Sequence, residues 1–203
     1  MLSHDVVRYA RSRLLTPAFL AICGICAAFV LGFKGPTPAG QVMPVIGATM
    51  LALVGFRLWD DLADLPMDRQ AHPARVLCRT EQLALFRFVA AIAAGSPLLV
   101  FRQTEQAAWA CYLPYCIALA ATYGSTRSTT PAAGWRPARM VRLAVVLMKY
   151  PVVCLSALLA LGPLVQGTSV IQTLLLLYVA VAAHEVVSHR PSVDSSSEDS
   201  LSN

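Results

Sequence analysis

The sequence predicts an all-α protein, a polytopic transmembrane bundle of about six spans with both termini in the cytoplasm. Three observations lead there. The first is composition: of 203 residues, 57% are hydrophobic and 13% charged, with a mean hydropathy of +0.60. Soluble domains run nearer 45–50% apolar and about 25% charged. The second is the set of apolar runs at residues 15–33, 42–59, 83–101, 107–123, 140–161 and 170–187. Each approaches the roughly 17–25 residues that a spanning helix requires. The third is the placement of the basic residues, which falls almost wholly on one side of those runs.

The runs are unbroken rather than alternating, so helices are expected and strands are not. The first follows a basic flank of Arg8, Arg11 and Arg13. It lacks a small-x-small cleavage site, and Ile22 precedes Cys23 where a lipoprotein signal would need a small residue. A true span is therefore expected rather than a cleaved leader. Pro36 and Pro38 open the loop before the second run, Pro131 and Pro137 lie before the fifth, and Pro163 lies before the sixth. Pro97, Pro114 and Pro151 fall inside runs three, four and five, where a membrane bundle tolerates the carbonyl that each proline frees. The chain divides into a basic N-terminus (1–14), a transmembrane domain (15–190) and a Ser-rich acidic tail (191–203) of disordered composition.

With this topology one side collects Arg8, Arg11, Arg13, Arg57, Arg69, Arg75, Arg79, Arg87, Arg127, Arg136, Arg139, Arg142, Lys149 and Arg190. The other side has only Lys34 and Arg102, a split of 14 to 2 among the 16 basic residues. The positive-inside rule makes the richer side cytoplasmic, in a plasma (bacterial inner) membrane. The net charge of +5 then reflects topology and anionic lipid, not nucleic acid. The six cysteines mostly fall within runs. Cys23-Gly-Ile-Cys26 has redox-motif spacing but sits mid-membrane without a histidine or acid, so packing is the expected role and no structural disulfide is expected.

Chemistry concentrates at the end of the second run. Four of the 11 acids lie in nine positions, Asp60-Asp61-Leu-Ala-Asp64-Leu-Pro-Met-Asp68. On a helix Asp61, Asp64 and Asp68 fall within about 60° of one another, and Arg57 joins them one turn earlier. Pro66 is expected to loosen the helix and leave Asp68 in the loop. Crowded carboxylates next to lipid are costly unless they serve a function, and Mg²⁺ would relieve their repulsion. A solvated acidic turn neutralised by Arg57, Arg69 and Arg75 is the alternative.

The stretch Arg57-Leu-Trp-Asp60-Asp61-Leu-Ala-Asp64-Leu-Pro-Met-Asp68-Arg69-Gln-Ala-His72-Pro73-Ala-Arg75 resembles the first aspartate-rich motif of the UbiA superfamily of intramembrane prenyltransferases, N-D-x-x-D-x-x-x-D with basic residues after it. Asp61, Asp64 and Asp68 stand at the family's aspartates, and Asp60 stands where the family usually has Asn. Tyr123-Gly-Ser-Thr-Arg127 resembles a Tyr-x-x-x-Lys/Arg element that follows the fourth span in many members. Family members generally have nine spans and a second motif, D-x-x-x-D, after the sixth. This chain shows six runs and no such motif there. Asp194 and Glu198 have D-x-x-x-E spacing within the tail, and Glu185, flanked by His184 and His189, is the better substitute ligand.

The resemblance implies transfer of a prenyl group from an isoprenoid diphosphate. Asp60, Asp61, Asp64 and Asp68 would hold Mg²⁺, with Asp61, Asp64 and Asp68 as the catalytic set. Arg57, Arg69, Arg75, Tyr123, Arg127 and Lys149 would bind the substrate, and Trp59, Phe86, Phe88 or Tyr123 would face the allylic cation. Two other readings stand beside it: a non-catalytic binder of a lipid diphosphate or divalent cation, and a small six-span transporter subunit. The partners this reading names are the lipid bilayer, the isoprenoid diphosphate, and a homo-oligomer or a partner membrane subunit.

Overall fold

In the computed structural model every regular element is helical among the described residues, 4–34, 36–104, 106–125, 137–162 and 167–188. The all-α expectation therefore holds. Helix α1 (His4–Tyr9) runs into a π-helical turn, Ala10–Leu14. The Thr16 hydroxyl then accepts the Phe19 N–H at 3.3 Å and starts α2 (Pro17–Phe33), with Pro17 in the first turn where its missing N–H costs nothing. The segment His4–Leu14 meets α2 at 71°.

The other runs also become helices. They are α3 (Ala39–Ala63), then after two short helices α4 (Leu65–Ala71) and α5 (Val76–Arg79), α6 (Leu83–Thr104) and α7 (Gln106–Ser125). The last three are α8 (Pro137–Leu147), α9 (Lys149–Ala160) and α10 (Gly167–Ser188). Among the described residues three stretches are long and apolar enough to cross a bilayer. These are α3, α6 over Leu83–Arg102, and Leu143–Ala160, with mean hydropathies of 1.7, 2.0 and 2.1. The bent pair His4–Leu14 and Pro17–Phe33 makes a fourth if it counts as one span. The outer face of α6 carries exposed Leu85, Phe88, Val89, Ile92 and Leu99, the surface expected of a helix facing lipid.

Two prolines shape the bundle. Pro97 has no N–H for the Ala93 carbonyl, and the Ser96 hydroxyl donates to that oxygen instead, at 3.1 Å. The adjacent Ala94 carbonyl accepts from the buried Tyr112 hydroxyl at 2.6 Å, which ties α7 to α6. Pro151 likewise leaves the Leu147 carbonyl without its donor, and the single helix expected over 140–161 is broken at Met148. Next to the break, the Tyr115 hydroxyl donates to the Val145 carbonyl at 3.0 Å. Irregular backbone at membrane depth is tolerated when protein groups satisfy it in this way.

Helix α3 packs most extensively on α6 and also contacts α2 and α9. The main core gathers side chains such as Val30, Val45, Leu53, Phe56, Tyr112, Leu119 and Val153. A smaller core of Tyr9, Leu58, Leu65, Leu77, Phe86 and Ala90 lies at one end of α3. It fastens α1, α4 and α5 around the aspartate-rich turn, with the Tyr9 and Phe86 rings edge to face at 5.5 Å.

The turn itself departs from the expected stripe. Pro66 cannot donate to the Leu62 carbonyl, so α3 stops at Ala63 with Asp64 as its cap and α4 starts afresh, with Pro66 in its first turn. Asp68 is therefore helical rather than in a loop, and Asp61, Asp64 and Asp68 do not share one continuous face.

Candidate functional site: an arginine-lined cavity at the aspartate-rich turn

Helix α3 has 25 residues, about 37 Å of rise at ~1.5 Å per residue. A hydrocarbon core is about 30 Å thick, so α3 is long enough to cross it with one polar end to spare. Arg57, Asp60 and Asp61 occupy that end. Asp60 and Asp61 are neighbours in sequence and so point about 100° apart. They serve different surroundings.

Asp60 faces the bundle. The Lys149 ammonium, at the first residue of α9, pairs with its carboxylate, and the Tyr123 hydroxyl donates to it. Lys149 is 4% exposed, and its ammonium lies 5.1 Å from the Tyr150 ring centroid. Trp59 packs on Tyr123 with centroids 5.8 Å apart. Lys149 stands directly after the helix break at Met148.

Asp61 faces the other way and is 7% exposed. The Tyr9 hydroxyl donates to its Oδ2 at 2.9 Å, and Arg13 Nε lies 3.4 Å from the same oxygen. Arg57, one turn earlier on α3, reaches Oδ1 at 3.5 Å. The Arg57 Nε is buried with no hydrogen-bond partner among the described residues. Burial first, then the negative charge of Asp61, push the Tyr9 phenol up, so it stays a neutral donor through the physiological range. Helix α1 is held from its other end too, because the Thr80 hydroxyl donates to Asp5 at 2.7 Å. Asp68 pairs with Arg75 across the α4–α5 loop.

Between these groups is a cavity of about 530 Å³, within the ~300–1,000 Å³ usual for small-molecule sites. Arg8, Tyr9, Arg11, Ser12 and Arg13 line it from the N-terminal segment. Asp61, Asp68, Ala74, Arg75, Val76 and Leu77 line it from α3, α4 and the turn into α5. Four guanidinium groups against two carboxylates leave the lining net positive.

The expected site residues thus separate into two sets. Asp61, Asp68 and Arg75 line the cavity, with Arg57 on the far oxygen of Asp61. Asp60, Tyr123 and Lys149 meet inside the bundle. Asp64 and Arg69 are exposed and do not line the cavity. Of the ring candidates, Phe86 is buried against Tyr9 and Phe88 is exposed. Among the described residues no three His, Cys, Asp or Glu side chains are grouped so as to hold a metal ion. Arg127, His189, Asp194 and Glu198, and the side chains of His184 and Glu185, lie outside the described residues.

Tyr9, Ser12 and the arginines at 8, 11 and 13 were not expected in a site. Their charge explained topology, and that hid the spacing. Tyr9 and Arg13 are four residues apart, which puts both on one side of a helical segment, and both land on Asp61. Replacing Tyr9 with phenylalanine removes one hydrogen bond to a buried carboxylate. The expected cost is about 1.5–3 kcal/mol, read as a lower midpoint of thermal unfolding in detergent.

Compared with family models, with curated proteins and with solved structures, the chain matches none.

Proposed function

We propose that this is a six-span membrane protein, with both termini in the cytoplasm, that takes the diphosphate end of an isoprenoid diphosphate into the arginine-lined cavity. The single observation that carries this reading is the make-up of the lining: Arg8, Arg11, Arg13 and Arg75 around one opening at the end of a membrane helix. Guanidinium groups grip phosphate oxygens in pairs, and four of them suit a polyanion better than a single carboxylate. A ligand with such a headgroup and an apolar tail would leave its tail in the bilayer.

Prenyl transfer is the reaction that the likeness to the UbiA superfamily brings with it. Charge would then build on the departing diphosphate, and Arg13 and Arg75 of the cavity lining are the cations proposed to offset it. Mg²⁺ belongs to the same likeness. It characteristically takes one or two carboxylates and fills its shell with phosphate oxygens and water, and Asp61 and Asp68 are the carboxylates lining the cavity. A non-catalytic binder is the second reading. It is favoured by Asp60, whose carboxylate is committed to Lys149 and Tyr123 inside the bundle. A second copy or another membrane subunit would complete the bundle in either case.

Protein purified in detergent, with a panel of labelled isoprenoid diphosphates, tests the proposal through equilibrium binding and release of diphosphate. Arg75→Ala is expected to weaken binding about tenfold, the equivalent of roughly 1.4 kcal/mol for one lost charge-assisted contact. Binding of no member of the panel overturns it. Release of diphosphate, with water or an added nucleophile taking up the prenyl group, selects the catalytic reading.

A further inference from the structure

Three carboxylates of the aspartate-rich turn are each paired with cations. Asp60 has Lys149, Asp61 has Arg13 and Arg57, and Asp68 has Arg75. We infer that the cavity holds a diphosphate with its arginines directly, and that Asp61 and Asp68 serve as counter-ions which aim those arginines rather than as ligands to Mg²⁺. This deepens the lipid-diphosphate reading and rests on it.

Donor and acceptor arithmetic supports the assignment. Asp61 Oδ2 receives the Tyr9 hydroxyl and faces the Arg13 Nε, and Oδ1 faces Arg57. Two carboxylate oxygens offer about four acceptor positions; one holds the Tyr9 hydrogen bond, and the two guanidinium groups at 3.4 and 3.5 Å pair with the carboxylate through charge. Mg²⁺ demands a near-octahedral oxygen shell. To reach Asp61, which is 7% exposed, it would have to displace a donor and put a double positive charge beside two guanidinium groups. A phosphate oxygen needs no such displacement. It adds to Arg8, Arg11, Arg13 and Arg75 from the open side of the cavity and meets charges of the favourable sign. The paired acids keep four clustered arginines from repelling one another before the anion arrives, and they fix where each fork points.

The two roles of the acids give opposite results on neutralisation. The probe is labelled farnesyl diphosphate on the full chain in detergent, with Mg²⁺ or with EDTA, and with inorganic diphosphate as competitor. The expected dissociation constant in EDTA is within about threefold of that in Mg²⁺. Asp68→Asn releases Arg75 and is expected to bind as well as the parent or more tightly, whereas loss of a metal ligand would cost at least about tenfold. Asp61→Asn should behave in the same way. It also leaves the half-buried Arg13 and Arg57 unpaired, so the more exposed Asp68 keeps the test decisive if that variant does not fold.

Competition by inorganic diphosphate at similar affinity shows that the headgroup alone is recognised. Its failure to compete overturns the inference, because the arginines would then not hold the diphosphate itself. Binding that appears only with Mg²⁺ and is lost in Asp68→Asn overturns the inference and leaves the lipid-diphosphate reading standing. Binding in neither condition overturns both.

Discussion

Lys149→Met is expected to destabilise the protein by about 3–5 kcal/mol, the usual cost of removing one partner from a buried ion pair. The Lys149 and Asp60 side chains are 6% and 14% exposed, so the carboxylate left behind could not recover its charge compensation from water. The Tyr123 hydroxyl would remain on Asp60, but a single neutral donor does not replace a cation. The readout is thermal unfolding of the purified protein in detergent. The double variant Asp60→Asn, Lys149→Met is expected to regain most of the loss, because the cost of a half-broken pair comes from the orphaned charge and not from the missing attraction. A double variant as unstable as the single one would mean that Lys149 acts by packing alone.

Gly55→Ala is expected to cost roughly 3 kcal/mol or more, at the upper end for overpacking in a close-packed core. A Cβ at Gly55 would lie 2.8 Å from the Ala93 carbonyl carbon and from the Ala94 Cα. Both are backbone atoms of α6, so no side chain can rotate away, and the most extensive helix pair of the bundle would have to separate. Helix propensity alone would make the same change favourable by about 1 kcal/mol. Gly47 provides the comparison on the same helix, since a Cβ there meets nothing within 4 Å. Gly47→Ala is expected to be neutral or slightly stabilising. Opposite signs for the two substitutions, measured by unfolding in detergent, separate helix contact from helix propensity. Gly55→Ala as stable as the parent would show that α3 and α6 are not this close.

Periodicity and composition made the helices legible, because a membrane helix needs little more than an unbroken apolar run. Residues 15–33, 42–59 and 83–101 became α2, α3 and α6 with ends shifted by only a few positions. The break at Met148 was harder to see. Pro151 was visible in the fifth run, but whether a membrane proline kinks a helix or splits it depends on neighbours such as Tyr115, which come from elsewhere in the chain. The same limit applied to the acids. Spacing put Asp61, Asp64 and Asp68 on one stripe and Pro66 pointed to a loop at Asp68, whereas the chain restarts as α4 and keeps Asp68 helical. Asp60 looked like a variant metal ligand from spacing alone. Its partner Lys149 lies 89 positions away, beyond the reach of any local pattern. Arg8, Arg11 and Arg13 were legible as charges but not as a wall of a site, since the positive-inside rule accounted for them completely.

The N-terminal segment forms one wall of the cavity, and this sets an order of events during synthesis. Tyr9 leaves the ribosome 52 residues before its acceptor Asp61. Asp5 precedes its donor Thr80 by 75. At translation rates of about 5–20 residues per second, the first gap alone lasts roughly 3–10 s. Throughout that interval Arg13 is without its Asp61 partner, and an anionic membrane surface is an alternative partner within reach. The cavity can close only after α3 has been made and the chain has turned back at Pro66, so Tyr9 and Arg13 wait on residues made well after them for their final contacts.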